Sequence, residues 1–319
     1  MVKSMKKILL FIIVLVSIPI MVINFFYSLK KGTFGFIENE IVINENSNKQ
    51  NIQTIRVLDS NNNIRVINLE DYLVGVIAGE VPLSFEEEAL KAQAVASRTY
   101  ALKQIENNKE LNYDVTDNTS SQVFLSDEVL KNKWGNNYEE YIDKIKKVVN
   151  DTSGEYITYN GEIIYAFFFS TSNGFTEDNK NVFGKDLPYL KVVDSSFDKN
   201  ETNSFEVKKE YSKTDFCNLL DITCDSINIS DISRSESNRV LSLKINEKCF
   251  KGRDFQKILN LRSNDFNINI DNDNVTIITK GFGHGVGMSQ YGANALAKNN
   301  KTYKEILKYY YLGTEIKKL

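Results

Sequence analysis

The chain has 319 residues, 42% of them hydrophobic, with 39 basic residues against 42 acidic ones and a net charge of −3. That is enough for a core, or for one large domain plus a lobe, and the absence of any basic block gives no sign of a nucleic-acid partner. The three cysteines, Cys217, Cys224 and Cys249, exclude a disulfide framework and allow at most one internal bridge and one free thiol.

The N-terminus sets the compartment. Lys3, Lys6 and Lys7 precede an uncharged apolar run from Ile8 to Phe26, whose length at about 1.5 Å per residue matches a hydrocarbon layer of roughly 30 Å. A cleaved signal peptide would have a shorter apolar core and a small-x-small site; here the run ends in "NFFYSLKKG". It is read as a retained transmembrane anchor with a cytoplasmic N-terminus, because nothing else in the chain would export the domain behind it. Residues 27–53 are polar and Asn-rich and read as a tether.

Structure is expected from residue 54 onward. "TIRVLDSNNNIRVINL" alternates around a turn and predicts a hairpin. Ser84 with Glu87 reads as a capping box after Pro82, opening an Ala-rich helix from Phe85 to about Gln104, with Phe85, Ala89, Ala92, Ala96 and Thr99 on one face. A second amphipathic helix is predicted from Tyr138 to Val149. "IIYAFFFS", residues 163–170, reads as a central strand buried on both faces. Residues 195–275 turn Asn/Asp/Ser-rich and read as an inserted lobe, with helices at "DFCNLL" and "DFQKILNL" and a strand at "RVLSLKI". "VTIIT" returns as a strand, and "YKEILKYYYLG" closes as a helix stopped by Gly313. The fold class is α+β: a mostly antiparallel core with the Ala-rich helix packed on it.

Three segments could carry chemistry. "AGEVP" holds Glu80. "FSTSNGFTED" offers Ser170, Thr171, Ser172 and Asn173 after the apolar run, hydroxyls and an amide suited to sugar hydroxyls and acetamido groups; the same cluster also fits a turn capped by its own side chains, and it is not the G-x-S-x-G elbow of a serine nucleophile. "GFGHGVGMSQYGA" sets His284, the only histidine, among alternating glycines, followed by Ser289 and Tyr291. On the Ala-rich helix, Gln93, Arg98 and Tyr100 are further candidates for substrate contact, the alternative by helix periodicity being solvated positions for Gln93 and Arg98 and a core position for Tyr100. A lone histidine and a Cys-x6-Cys spacing do not make a zinc site, so neither a metal nor another cofactor is expected.

Three runs, "LEDYLVGVIAGEVPLSFEEEALKAQAVASRTYAL", "STSNGFTEDNKNVFGKDLPYLKVVDSSFD" and "GFGHGVGMSQYGA", resemble the signatures of the stage II sporulation protein D family, in that family's order, over residues 55–319. The resemblance implies a lytic transglycosylase acting on peptidoglycan during engulfment in endospore-forming bacteria, with Glu80 as the catalytic glutamate. It implies peptide-free glycan strands as substrate, a cell-wall amidase and other engulfment membrane proteins as partners, and a place in the septal intermembrane space. A related group enhances a wall amidase without cutting, which keeps a non-catalytic glycan-binding module as the alternative. One carboxyl group suffices for a lytic transglycosylase. It protonates the leaving glycosidic oxygen and then accepts the proton of the 6-hydroxyl that attacks C1. An ordinary muramidase would need a second carboxylate, for which Asp71, Glu177, Asp178 and Asp194 are the candidates. One tension stands out. A Glu80 just before the N-terminus of a helix would have its pKa lowered, whereas a general acid needs it raised, so apolar burial must prevail.

Overall fold

The computed structural model describes residues 53–319; the expected anchor, Ile8 to Phe26, and all but the last residue of the expected tether lie outside the described residues. Among the described residues no helix is long and apolar enough to cross a membrane.

The chain opens with the expected hairpin. Strands β1 (Thr54–Leu58) and β2 (Ile64–Asn68) pair antiparallel from Thr54↔Asn68 to Leu58↔Ile64. Their turn is closed by the Asp59 carboxylate, which accepts from the amides of Asn61 and Asn63, each at 2.9 Å, the side-chain-to-backbone closure that makes Asp and Asn turn residues. Asn68 then caps helix α1 (Leu69–Glu80) by accepting from the Glu70 amide. This helix is absent from the sequence reading. Leu69, Tyr72, Leu73, Val76 and Ile77 are all buried, so no wide polar face marks a 3.6-residue period.

Helix α2 (Glu87–Asn107) is the Ala-rich helix and lies at the centre, with every residue from Ala92 to Leu102 buried. Its start differs from expectation. Glu86, not Ser84, is the cap residue and makes no side-chain cap bond; the Glu86 amide instead donates to Asn294 Oδ1 at 2.9 Å. A partner about two hundred residues away has displaced the local capping box.

Strand β3 (Val115–Thr116) runs parallel to β1. Helices α3 (Asp127–Trp134) and α4 (Tyr138–Asp151) come next, and α4 buries Ile142, Ile145, Val148 and Val149. Strands β4 (Glu155–Tyr159) and β5 (Glu162–Ile163) form a hairpin. The apolar run 163–170 is not one strand. Only β6 (Phe168–Phe169) is extended and paired within its second half, because the Phe167 amide turns back to the Tyr165 carbonyl at 2.9 Å, a three-residue turn that breaks the ladder.

After the short α5 (Asn179–Phe183), the chain builds a second core. Strand β7 (Glu206–Ser212), helix α6 (Lys213–Leu220), strands β8 (Ile229–Arg234), β9 (Val240–Ile245) and β10 (Lys248–Lys251), helix α7 (Gly252–Ile258), and strands β11 (Phe266–Ile270) and β12 (Asn274–Lys280) enclose it. They form two antiparallel sheets, β10-β9-β8 and β11-β12-β7, around Phe216, Leu243, Ile245, Phe255 and Ile277. Cys217 and Cys224 are disulfide-bonded and Cys249 is free and exposed.

The chain then re-enters the first core. Strand β13 (Met288–Ser289) pairs parallel with β6, helix α8 (Gln290–Lys298) packs on α2, and helix α9 (Tyr303–Tyr310) starts at a capping box of Thr302 and Glu305. Strand β14 (Glu315–Lys318) closes on β4. The architecture is mixed α+β, with β1–β3 and β6–β13 the only parallel pairs among the described strands.

Candidate active site

Glu80 is the last residue of α1, not a loop residue ahead of a helix. This removes the tension found in the sequence. The carbonyl end of a helix carries the negative pole and disfavours an anion, so backbone and burial act in the same direction. Burial raises the Glu80 pKa above its ordinary value, with the Val123 amide and Gln290 acting against it.

Two contacts hold the carboxyl group. The Val123 amide donates to Oε1 at 2.7 Å and Gln290 Nε2 lies 3.4 Å from Oε2. The first depends on a glycine. At Gly79 a Cβ would come within 2.6 Å of the Val123 carbonyl oxygen, so only a residue without a side chain lets the 121–125 segment lie close enough to aim its amide at Glu80. The far end of α1 is fixed by Arg98, fully buried on α2. It grips Glu70 through Nε–Oε1 at 2.8 Å and Nη2–Oε2 at 2.6 Å and donates to the Glu155 carbonyl at 3.1 Å.

Around Glu80 stands a polar and aromatic wall. Tyr72 donates to Gln122 Oε1 at 3.2 Å, Gln122 Nε2 reaches the Ser97 carbonyl at 3.4 Å, and Gln93 donates to the Ser97 hydroxyl at 3.1 Å, leaving its own Oε1 buried without a partner. Tyr72 and Tyr100 both sense the charge of Glu80, and burial raises both phenols. Tyr291 packs edge-on to Phe85 with centroids 5.0 Å apart.

Of the expected site residues, Tyr100 lies within reach of the charge of Glu80, Tyr291 directly follows its partner Gln290, and Gln93 joins the same polar network through Ser97 and Gln122; the other candidates lie in separate buried or half-buried networks. Arg98 is a clamp between helices. The Ser172 amide donates to Asp198 Oδ2 at 2.7 Å and its hydroxyl to the Ser195 carbonyl at 2.8 Å. Asn173 bridges Ser237, Asp265 and Arg239 at 2.6–2.7 Å. Thr171 is buried in a bridge with Phe282, and the Ser170 hydroxyl contacts Thr171 at 3.2 Å. Ser289 caps α8 and donates to Asp198. His284 sits among Phe167, Phe169 and Phe183, with centroids 5.4–6.2 Å away. Its Nδ1 accepts from the Val286 amide at 3.0 Å. Burial, then the charges of Arg253 and Arg239, push it down to about 3, so it is neutral at physiological pH. Nearby, a Cβ on Gly287 would fall 2.0 Å from the Phe167 carbonyl at a φ of +80°, which explains why a glycine is needed where the chain passes β6.

Four residues at the site are absent from the sequence reading: Tyr72, Gln122, Val123 and Gln290. Gln290 has a signal, since it stands between the two side chains singled out in its segment. The other three have none, because they arrive through a helix without a visible period and an irregular loop.

A family model described as Stage II sporulation protein matches residues 59–159, which include α1, α2 and the 121–125 segment. Stage II sporulation protein D of Bacillus subtilis is 41% identical over 263 residues, 81% of this chain and 76% of that protein. The chain belongs to the stage II sporulation protein D family. An uncharacterised protein of Brachyspira hyodysenteriae is 34% identical over 79% of this chain and 67% of its own length. The amidase enhancer of Bacillus subtilis is 29% identical over 76% of this chain and 40% of its own length. Glu80 lies within the segment that the family model matches.

Proposed function

We propose that the chain is a peptidoglycan lytic transglycosylase, cutting glycan strands between N-acetylmuramic acid and N-acetylglucosamine to leave 1,6-anhydro ends, in wall remodelling during sporulation. The observation that carries the reading is the Glu80 carboxyl group: half-buried, at the carbonyl end of a helix, with its pKa raised. Such a group is protonated where an ordinary carboxyl is ionised, as a general acid requires. It donates its proton to the departing glycosidic oxygen. As a carboxylate it accepts the Val123 amide and the proton of the muramic 6-hydroxyl as that oxygen bonds to C1.

The candidate second carboxylates are engaged elsewhere. Glu177 accepts from Ser237 at 2.7 Å and Asn181 at 2.9 Å, Asp178 caps α5 and pairs with Lys191, and Asp194 accepts the Ser196 amide. Asp71 lines a cavity with Lys146.

The domain works outside the cytoplasm, tethered by Ile8 to Phe26, and acts with a wall amidase. The Cys217–Cys224 bridge suits an oxidising compartment. The second reading, a glycan-binding enhancer of an amidase, is favoured by the amidase enhancer among the relatives. Mass spectrometry of glycan digested by the full chain decides. Anhydro ends support cutting by this chain, reducing ends point to water as nucleophile, and intact strands that speed an added amidase support the enhancer.

A further inference from the structure

A cavity of about 470 Å³ opens between α5 and the second core, lined by Lys180, Lys251, Arg253 and Lys257 against one carboxylate, Asp254. Among the described residues none of these four cations is in an ion pair, and Arg253 Nη1 is buried without a hydrogen-bond partner. We propose that this cavity binds the free carboxylate of a muramic sugar, the lactyl acid exposed once its stem peptide has been removed. The proposal rests on the reading of Glu80 as the acid of a glycan site.

Three features argue for that occupant. A partly buried guanidinium with an unused N–H bears a desolvation cost that an incoming anion relieves. Its planar fork fits a carboxylate in a way that a lysine does not. The cavity is also joined to the Glu80 wall by aromatic rings. Tyr100 lies 6.3 Å from Phe167, Phe167 stacks on Phe183 at 4.6 Å, and the Arg253 guanidinium lies 5.6 Å from the Phe183 ring. Phe183 is 43% exposed at the cavity lip, the kind of flat apolar surface on which the face of a sugar rests. A sugar resting on Phe183 would so present its acid to the basic pocket. A phosphate polymer is the competing anion, but nothing about it calls for a ring-lined approach.

The test uses the full chain carrying Glu80→Gln, which removes the proposed acid and makes binding separable from cutting. Binding is measured to peptide-free muramoyl glycan, to the same strands with methyl-esterified lactyl groups, and to poly(glycerol phosphate). The free acid should bind about tenfold more tightly than the ester. Arg253→Gln should erase that difference, and the exposed pair Lys251→Gln with Lys257→Gln should narrow it. Equal binding of acid and ester overturns the proposal, as does a difference that survives Arg253→Gln. Loss of polyphosphate binding alone in that variant also overturns it, assigning the cavity to phosphate. Should Arg253→Gln fail to fold, the lysine pair decides: an acid–ester difference that it leaves unchanged overturns the proposal. Absence of anhydro ends with wild type, while the acid–ester difference stands, would defeat the transglycosylase reading and leave this one intact.

Discussion

Two carboxyl groups withdrawn from water, Glu80 and Asp198, differ in one respect. Burial raises the pKa of both. Asp198 is surrounded by donors: the Ser172 amide at 2.7 Å, the Ser195 hydroxyl at 2.7 Å and the Ser289 hydroxyl. These tie together the 170s segment, the 190s and the start of α8. Glu80 has one short bond, from Val123, and one long contact at 3.4 Å from Gln290. A carboxylate held by three donors from three segments holds a fold together, because most of its lone pairs are already used. One left short of donors in an apolar setting can take up and release a proton.

The sharpest way to break this contrast is to neutralise each group. Glu80→Gln should lower turnover by a factor on the order of 10² to 10⁴, with glycan binding and melting nearly unchanged; a variant that cuts at near wild-type rate removes the mechanism. Asp198→Asn should do the reverse, costing about 2–4 kcal/mol of stability, read by chemical denaturation, while the part that remains folded still cuts. If the two variants behave alike, donor count does not separate the roles.

The pH dependences should also diverge. Glu80 has a raised folded pKa, so the folded state holds a proton that the unfolded state has lost. Its contribution to stability is complete below the unfolded carboxyl value and is lost as pH rises through the folded one. Glu80→Gln should therefore match or exceed wild-type stability at neutral pH, with the gap closing in acid. Activity should fall on the alkaline side as the general acid ionises. His284 has the opposite sign. Its folded pKa is depressed to about 3, so its contribution is complete above the unfolded value near 6.5 and lost as pH falls from there toward 3. His284→Gln should flatten that acidic limb in melting curves.

The smallest expected effect concerns Gln290. Its contact favours the ionised form of Glu80. Gln290→Ala should raise the pKa of Glu80, move the alkaline limb of kcat/KM to higher pH, and change the peak rate by about tenfold or less. An unmoved limb would mean the 3.4 Å contact carries no weight.

Much of this is written in local patterns. The hairpin, α2, α4 and, in the second core, α6, β9, α7 and β12 follow from alternation, propensity and turn residues acting over a few positions, whereas β7, β8, β10 and β11 are absent from the sequence reading. Glu80 itself is recognisable through its motif, but its setting is not. Helix α1 lacks a polar face, so its periodicity is hidden. The amide on Glu80 comes from an irregular segment, and α2 is capped by Asn294 from the other end of the chain rather than by Ser84. Arg98 and Ser172 look like substrate contacts in the sequence because polar side chains near a motif suggest a surface. In the fold they are buried and satisfied, and only long-range packing decides that.

The pairing of β7 with β12 bears on how the chain assembles. Glu206 lies opposite Lys280, so the second core begins and ends at one point, and its own strands can close that loop. Phe168 must meet Met288 across this span. For a disordered chain that closure is entropically costly, and the cost grows with the logarithm of the intervening length. Once β7 and β12 have paired, the span between Phe168 and Met288 is shortened to the residues on either side of the folded insert. The second core can thus form early and bring the two halves of the site within reach of each other, and a destabilised β7–β12 pair would slow maturation of a site it does not touch.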